Sequence, residues 1–136
     1  MTFYERKIGK LKNGLYKNQK QIDAIISVRK FIDDNYDSAL NLSKISEDQF
    51  LSKYHLLRLF KKYYGLTPRQ YLIDKRIEHA KHYLRNGLSV TKTCFAVGFE
   101  SLGSFSSLFK RKTGKTPSQY QKEQLSRSST ILNSGL

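Results

Sequence analysis

A chain of 136 residues makes one domain or two very small subdomains and leaves no room for a separate sensor or catalytic domain. Its 25 Lys and Arg against 11 Asp and Glu give a net charge of +14, which suits a polyanionic partner, nucleic acid ahead of an acidic protein or a membrane surface. The single Cys94 excludes a disulfide framework and a multi-cysteine zinc site; no apolar run nears the roughly 18 residues of a membrane span and no signal peptide opens the chain, so a soluble cytoplasmic protein is expected.

Residues 1–19 carry Arg6, Lys7, Lys10, Lys12 and Lys17 with two glycines and little periodicity, which reads as a basic frayed tail or, failing that, a DNA-touching arm. From Lys20 to Tyr36 the apolar Ile22, Ile25, Ile26, Val28, Phe31 and Ile32 recur near helical spacing and predict a first helix. Asn41 is a suitable N-cap for a short second helix ending near Asp48, and Ser52 caps a third after a three-residue turn, Gln49 to Leu51. The third helix places Leu56, Leu59, Phe60 and Tyr63 on one face and Lys53, Tyr54, Leu57, Arg58, Lys61 and Lys62 on the other. A short helix, a tight turn and a basic second helix form a helix-turn-helix.

Thr67 and Pro68 then open a long helix that Gly87 closes. The pattern now runs again: Ser89 caps a helix to about Val97, Gly98 turns the chain, and a helix from about Ser101 to Thr113 buries Phe105, Leu108 and Phe109. Thr116 and Pro117 start a last helix of one or two turns, and the Ser-rich end lacks periodicity and reads as disordered. No strand signal appears. The expected class is all-α, about seven helices: helix-turn-helix subdomains over 20–66 and 88–122, a linker helix over 67–87, and tails over 1–19 and 123–136.

The duplication is written into the residues. Leu59 to Tyr71 reads LFKKYYGLTPRQY and Leu108 to Tyr120 reads LFKRKTGKTPSQY, 49 positions apart with eight of thirteen residues identical. Each copy is a helix end, a Gly that takes the left-handed backbone, and a Thr-Pro that caps and starts the next helix. Neither copy holds an acidic residue: none lies between Gln49 and Ile73, or between Ser101 and Lys122. One supersecondary unit is built twice, and in a chain this basic its contact with DNA is what repeats.

These residues resemble the DNA-binding domain of the AraC/XylS family of bacterial transcription regulators. The second-unit pattern of that family is met by Val97-Gly98-Phe99, Phe105, Phe109-Lys110, Gly114 and Thr116-Pro117 with Tyr120, and its linker-helix pattern by Arg76-Ile77, Ala80 and Tyr83-Leu84. The resemblance covers about Gln21 to Lys122 and is similar in size to stand-alone members without a sensor domain. It implies a sequence-specific regulator of double-stranded DNA, an activator that contacts RNA polymerase and acts as a monomer. The physics is compatible: the helical stretch from Pro68 to Asn86 is 19 residues, about 28 Å long, and a turn of B-DNA is about 34 Å, so two recognition helices can enter successive major grooves.

Carried over by position, base contacts fall to Tyr54, Leu57 and Arg58 in the first recognition helix and to Leu102, Gly103, Ser104 and Ser107 in the second. Arg58 can donate twice to guanine, while Tyr54 and Leu57 can pack on thymine methyls; core burial is the competing reading for both apolar groups. Lys53, Lys61, Lys62, Ser106, Lys110 and Lys112 are the phosphate candidates. Three departures stand out. The second helix has short side chains at its reading positions, Phe50 stands where the first turn of the family commonly has Gly, and Thr93-Cys94 occupy an apolar site and a small Ala site in the second core.

His79 and His82 stand three apart beside Glu78 but have no third ligand at a suggestive spacing, so they read as an exposed polar face. No metal, cofactor or catalytic group is expected, and the chain reads as a non-enzyme. An RNA-binding module, a polymerase-docking adaptor, and a fragment or subunit of a larger sensing regulator remain as alternatives.

Overall fold

The computed structural model describes residues 2–134, with side chains through residue 129. Among the described residues there are seven helices and no strand: α1 (Phe3–Asn35), α2 (Leu42–Asp48), α3 (Lys53–Tyr64), α4 (Pro68–Arg85), α5 (Val90–Ala96), α6 (Leu102–Thr113) and α7 (Pro117–Ser134). Packing divides them into two units, Met1–Asp34 with Asn41–Pro68, and Asn35–Leu40 with Arg69–Leu136.

In the first unit Asn41 and Ser52 act as N-caps, their side-chain oxygens accepting from the Lys44 and His55 amides at 2.8 and 3.1 Å. Ile25, Val28, Ile32, Ile45, Leu56, Leu59 and Phe60 are buried. Ser27 on α1 donates to Gln49 at the end of α2 (2.7 Å), and Tyr63 on α3 donates to Gln21 (3.4 Å).

The expectation of a frayed tail over 1–19 is corrected: α1 begins at Phe3 and runs 33 residues. Its start is a capping box in which Thr2 Oγ1 accepts from the Glu5 amide (3.3 Å) and Glu5 Oε2 from the Thr2 amide (3.0 Å).

In the second unit Ile77, Ala80 and Leu84 of α4 join Cys94, Val97, Phe99, Phe105 and Phe109 in one core. The long helix expected as a separate linker is therefore, from Arg69 on, a structural wall of this unit. Arg76 secures the 35–40 segment, donating from Nε to the Tyr36 carbonyl (2.7 Å) and from Nη2 to the Ser38 carbonyl (2.8 Å).

The last helix also departs from expectation. It is 18 residues long, and it starts on a second reciprocal cap between Thr116 and Gln119. Gln121 anchors it by donating to the Leu84 and Leu88 carbonyls at 3.2 and 2.6 Å. Helix thus replaces the disorder expected from residue 123 as far as Ser134, and the last two residues lie outside the described ones.

Candidate nucleic-acid interface

The same device positions the second helix of each unit. After α2 the Leu51 amide donates to the Ser46 carbonyl and after α5 the Phe99 amide to the Cys94 carbonyl, both at 3.1 Å. That is the six-to-one closure of a Schellman turn, and it requires a left-handed residue just before the donor. The residue is Gly98 (φ 97°) in the second unit and Phe50 (φ 56°) in the first. The departure at Phe50 is therefore accommodated as strain, with the same turn kept and the ring left 95% exposed. Gly98 has no such freedom: a Cβ there would stand 2.9 Å from the Tyr36 carbonyl oxygen.

Beyond the first turn, α3 points Leu56, Leu59 and Phe60 inward. Tyr54, Leu57, Arg58 and Lys61, at i, i+3, i+4 and i+7, make one exposed face. Tyr54 is 74% exposed, which removes the core reading, and Leu57 at 38% is only partly covered. Among the described residues Arg58 forms no ion pair, so its guanidinium fork faces solvent unspent. Lys53 and Lys62 are also exposed, with the Lys62 ammonium 5.3 Å from the centre of the Tyr63 ring.

α6 repeats the arrangement with shorter side chains. Ser101 caps it, Phe105 and Phe109 are buried, and Leu102, Gly103, Ser104 and Ser107 are exposed. Gly103, Ser104, Ser107 and Leu108 line a surface groove of about 530 Å³ whose remaining walls are Arg69 and Arg111. Those two arginines were missed in the sequence. Arg111 stands four residues beyond Ser107, a spacing that would have found it; Arg69 comes from α4 and needed the fold.

The phosphate candidates separate. Lys110 is exposed and Ser106 half-buried, whereas the Lys112 ammonium sits 3.0 Å from the Asp74 carboxylate and would have to leave that pair to reach a phosphate.

The remaining chemistry is structural. His79 stacks on Tyr36 with ring centres 3.9 Å apart, and the Asn86 amide nitrogen lies 3.3 Å from a His82 ring nitrogen. The described residues hold no group of three or more metal-capable side chains. Cys94 is fully buried, and desolvation pushes its thiol pKa up. Burial likewise raises the Tyr36 phenol to about 12, with the neighbouring Tyr83 adding to it. No described helix is long and apolar enough to cross a membrane.

Residues 45–123 match the model of a helix-turn-helix domain family. The chain is 34% identical to the C-terminal domain of the two-component response regulator YesN of Fusobacterium nucleatum, covering 73% of this chain and 98% of that one with a TM-score of 0.70. It belongs to the AraC-type helix-turn-helix family. Among longer AraC-type relatives, the transcriptional activator RhaS of Escherichia fergusonii is 32% identical over 86% of this chain and 43% of its own length. The bifunctional activator and DNA repair enzyme AdaA of Bacillus subtilis is 32% identical over 76% of this chain and 51% of its own. The chain thus spans about a third to a half of the curated relatives it matches. The fold is also that of the AdpA DNA-binding domain, solved with a target DNA (22% identity, TM-score 0.72).

Proposed function

We propose that this chain is a sequence-specific double-stranded-DNA-binding transcription regulator, an activator, in which one chain reads two adjacent major grooves. The observation that carries the reading is the outward face of α3, where Tyr54, Leu57, Arg58 and Lys61 are exposed along one line above a fully buried opposite face. A solvent-exposed stripe of a planar donor fork, two apolar groups and a cation has the composition of a major-groove reader. Membership of the AraC-type family supports it, as does the acid-free sequence of both recognition helices.

In this reading Arg58 discriminates guanine, Tyr54 and Leu57 meet thymine methyls, and Lys53, Lys61 and Lys62 take phosphates. The second unit works differently. Leu102, Gly103, Ser104 and Ser107 bring the α6 backbone close to the duplex, while Lys110, with Arg69 and Arg111 flanking the groove, supplies charge. Ser106 is a weaker phosphate donor for being half-buried, and Lys112 is left to Asp74. The protein acts in the cytoplasm, without catalysis or cofactor, and contacts RNA polymerase from the promoter.

The test is selection of bound sequences from a random duplex pool, followed by binding of variants to every single-base change in the selected site. Arg58→Ala should relax preference at one or two base pairs, each worth about 1 to 3 kcal/mol. Ser107→Ala should cost under about 1 kcal/mol, and Lys110→Ala should weaken all sequences alike. Loss of discrimination in Ser107→Ala with Arg58→Ala unaffected would place specificity in α6 and overturn its assignment to α3. No selected sequence at all, with equal binding to single-stranded RNA, would overturn the function.

A further inference from the structure

The front half of α1 has no part in that reading, and its surface is unlike the rest of the molecule. Tyr4, Ile8, Leu11 and Leu15 follow one another at steps of four, three and four residues, and they are 75%, 50%, 61% and 69% exposed. Steps of this kind place the four on a stripe one or two side chains wide. That is the a/d spacing of a coiled-coil seam. Arg6, Lys10, Lys17 and Lys20 fall on the opposite side of the helix, so the charge points away from the seam. Phe3 and Tyr16, 74% and 63% exposed, are the other large apolar residues of this half and lie outside the stripe, one on each side of it, while Gly9 and Asn13 add nothing apolar.

The residues bordering the seam select the partner and its direction. Taking Ile8 and Leu15 as the first apolar position of each heptad and Tyr4 and Leu11 as the second, the flanking positions are Glu5, Lys7, Lys12 and Gly14. In a parallel pair of this chain Lys7 would face Lys12 of the other copy, a like-charge contact made twice. In an antiparallel pair Ile8 meets Leu11, Tyr4 meets Leu15, and Glu5 faces Lys12, an opposite-charge contact made twice, with Lys7 opposite the uncharged Gly14. One oxygen of Glu5 already accepts from the Thr2 amide, but a carboxylate accepts several donors and can serve both.

We propose that the exposed seam of α1 is a self-association surface, on which a second copy of this chain docks antiparallel through Tyr4, Ile8, Leu11 and Leu15. The interface is small. Covering the exposed parts of four side chains from each helix removes roughly 800 Å² in total, below the about 1,200 Å² of standard interfaces, which makes the association weak and concentration-dependent. A weak contact of this sort leaves each chain free to occupy its own site and links two chains only when both are held nearby, as on one duplex carrying two sites. The inference does not rest on the DNA reading, because pairing is expected without DNA.

Sedimentation equilibrium of the full chain up to about 300 µM measures it, since interfaces of this size fall in the micromolar-to-millimolar range. A reversible monomer–dimer equilibrium is expected. Leu11→Asp should abolish it, and far-ultraviolet circular dichroism should show α1 retained through its buried half. Lys12→Glu decides direction. It should weaken an antiparallel pair at least threefold by setting Glu5 against a carboxylate, while in a parallel pair it would strengthen binding by relieving Lys7. A chain monomeric throughout, association untouched by Leu11→Asp, or association tightened by Lys12→Glu would each overturn the proposal. So would docking of α1 on anionic vesicles by a chain that shows no self-association.

Discussion

Phe50 and Gly98 perform the same left-handed turn with opposite consequences for stability. A non-glycine residue in that conformation costs about 1 to 2 kcal/mol. Because the Phe50 ring is 95% exposed, its removal forfeits almost no burial. Phe50→Gly relieves the strain but frees the unfolded backbone, which returns about 0.5 to 1 kcal/mol. The expected net is a stabilisation of about 0.5 to 1 kcal/mol, whereas Phe50→Ala, which keeps the strain, should stay within about 0.5 kcal/mol of the parent.

Gly98→Ala runs the other way and is worse than strain alone. Its Cβ would lie 2.9 Å from the Tyr36 oxygen and 3.0 Å from the Asp37 carbonyl carbon and Cα, all backbone atoms. That segment is tied down by Arg76, so it yields only by loosening those two hydrogen bonds. Strain and overpacking together predict a loss of about 2 to 4 kcal/mol. Urea unfolding followed by circular dichroism, comparing midpoints at constant slope, measures all three variants. A Phe50→Gly protein less stable than Phe50→Ala, or a Gly98→Ala protein within about 0.5 kcal/mol of the parent, would refute the assignment of these turns.

Thr93→Val should stabilise the protein by about 1 kcal/mol, because the Thr93 Oγ1 is fully buried with no hydrogen-bond partner among the described residues; thermal unfolding of the single variant checks it. Duplex affinity should fall steeply with salt, with a log–log slope equivalent to roughly 5 to 9 released counterions, and a flat dependence would exclude phosphate-driven binding. Stability should decline as pH rises above the ordinary tyrosine value toward about 12: the Tyr36 phenol is raised in the folded state, so the unfolded chain loses its proton first, and the contribution present below pH 10 is lost across that window. Tyr36→Phe should flatten that part of the alkaline profile, as followed by circular dichroism.

The elements that sequence reasoning placed well are those with chemistry at both ends. Asn41, Ser52, Ser89 and Ser101 all cap helices through their side-chain oxygens, and Gly65 and Gly114 close α3 and α6 in the left-handed conformation. The failures at the two ends of the chain share a cause. Helix α1 outruns the helix expected from Lys20 because its first half holds two glycines and buries none of its apolar residues; its signals are the Thr2–Glu5 capping box and apolar residues at heptad spacing. Helix α7 outruns the one or two turns that its sequence predicts because Ser126 to Thr130 is an unbroken polar run with no helical periodicity, although the Thr116–Gln119 box marks its start.

At the candidate interface, the outward residues of α3 were legible because the inward ones were: once Leu56, Leu59 and Phe60 are committed to the core, Tyr54, Leu57 and Arg58 have nowhere else to face. The same logic identified the short side chains of α6 but not what stands beside them. Arg69 is 34 residues from the nearest other groove residue, Gly103, and only folding brings them together. The two units therefore differ in how cation and reader are combined. In the first, Arg58 is on the reading helix itself and can be aimed by the helix axis alone. In the second, α6 carries Lys110 and Arg111 itself but shares the groove with Arg69 of α4, whose position depends on how α4 packs against the core below it. A substitution that shifts α4 without touching α6, such as Ala80→Val in the fully buried core, should therefore disturb the contribution of the second unit to DNA binding while leaving base discrimination by Arg58 intact. Equal loss of discrimination at the Arg58 position would mean that the first helix, too, is aimed from outside its own unit.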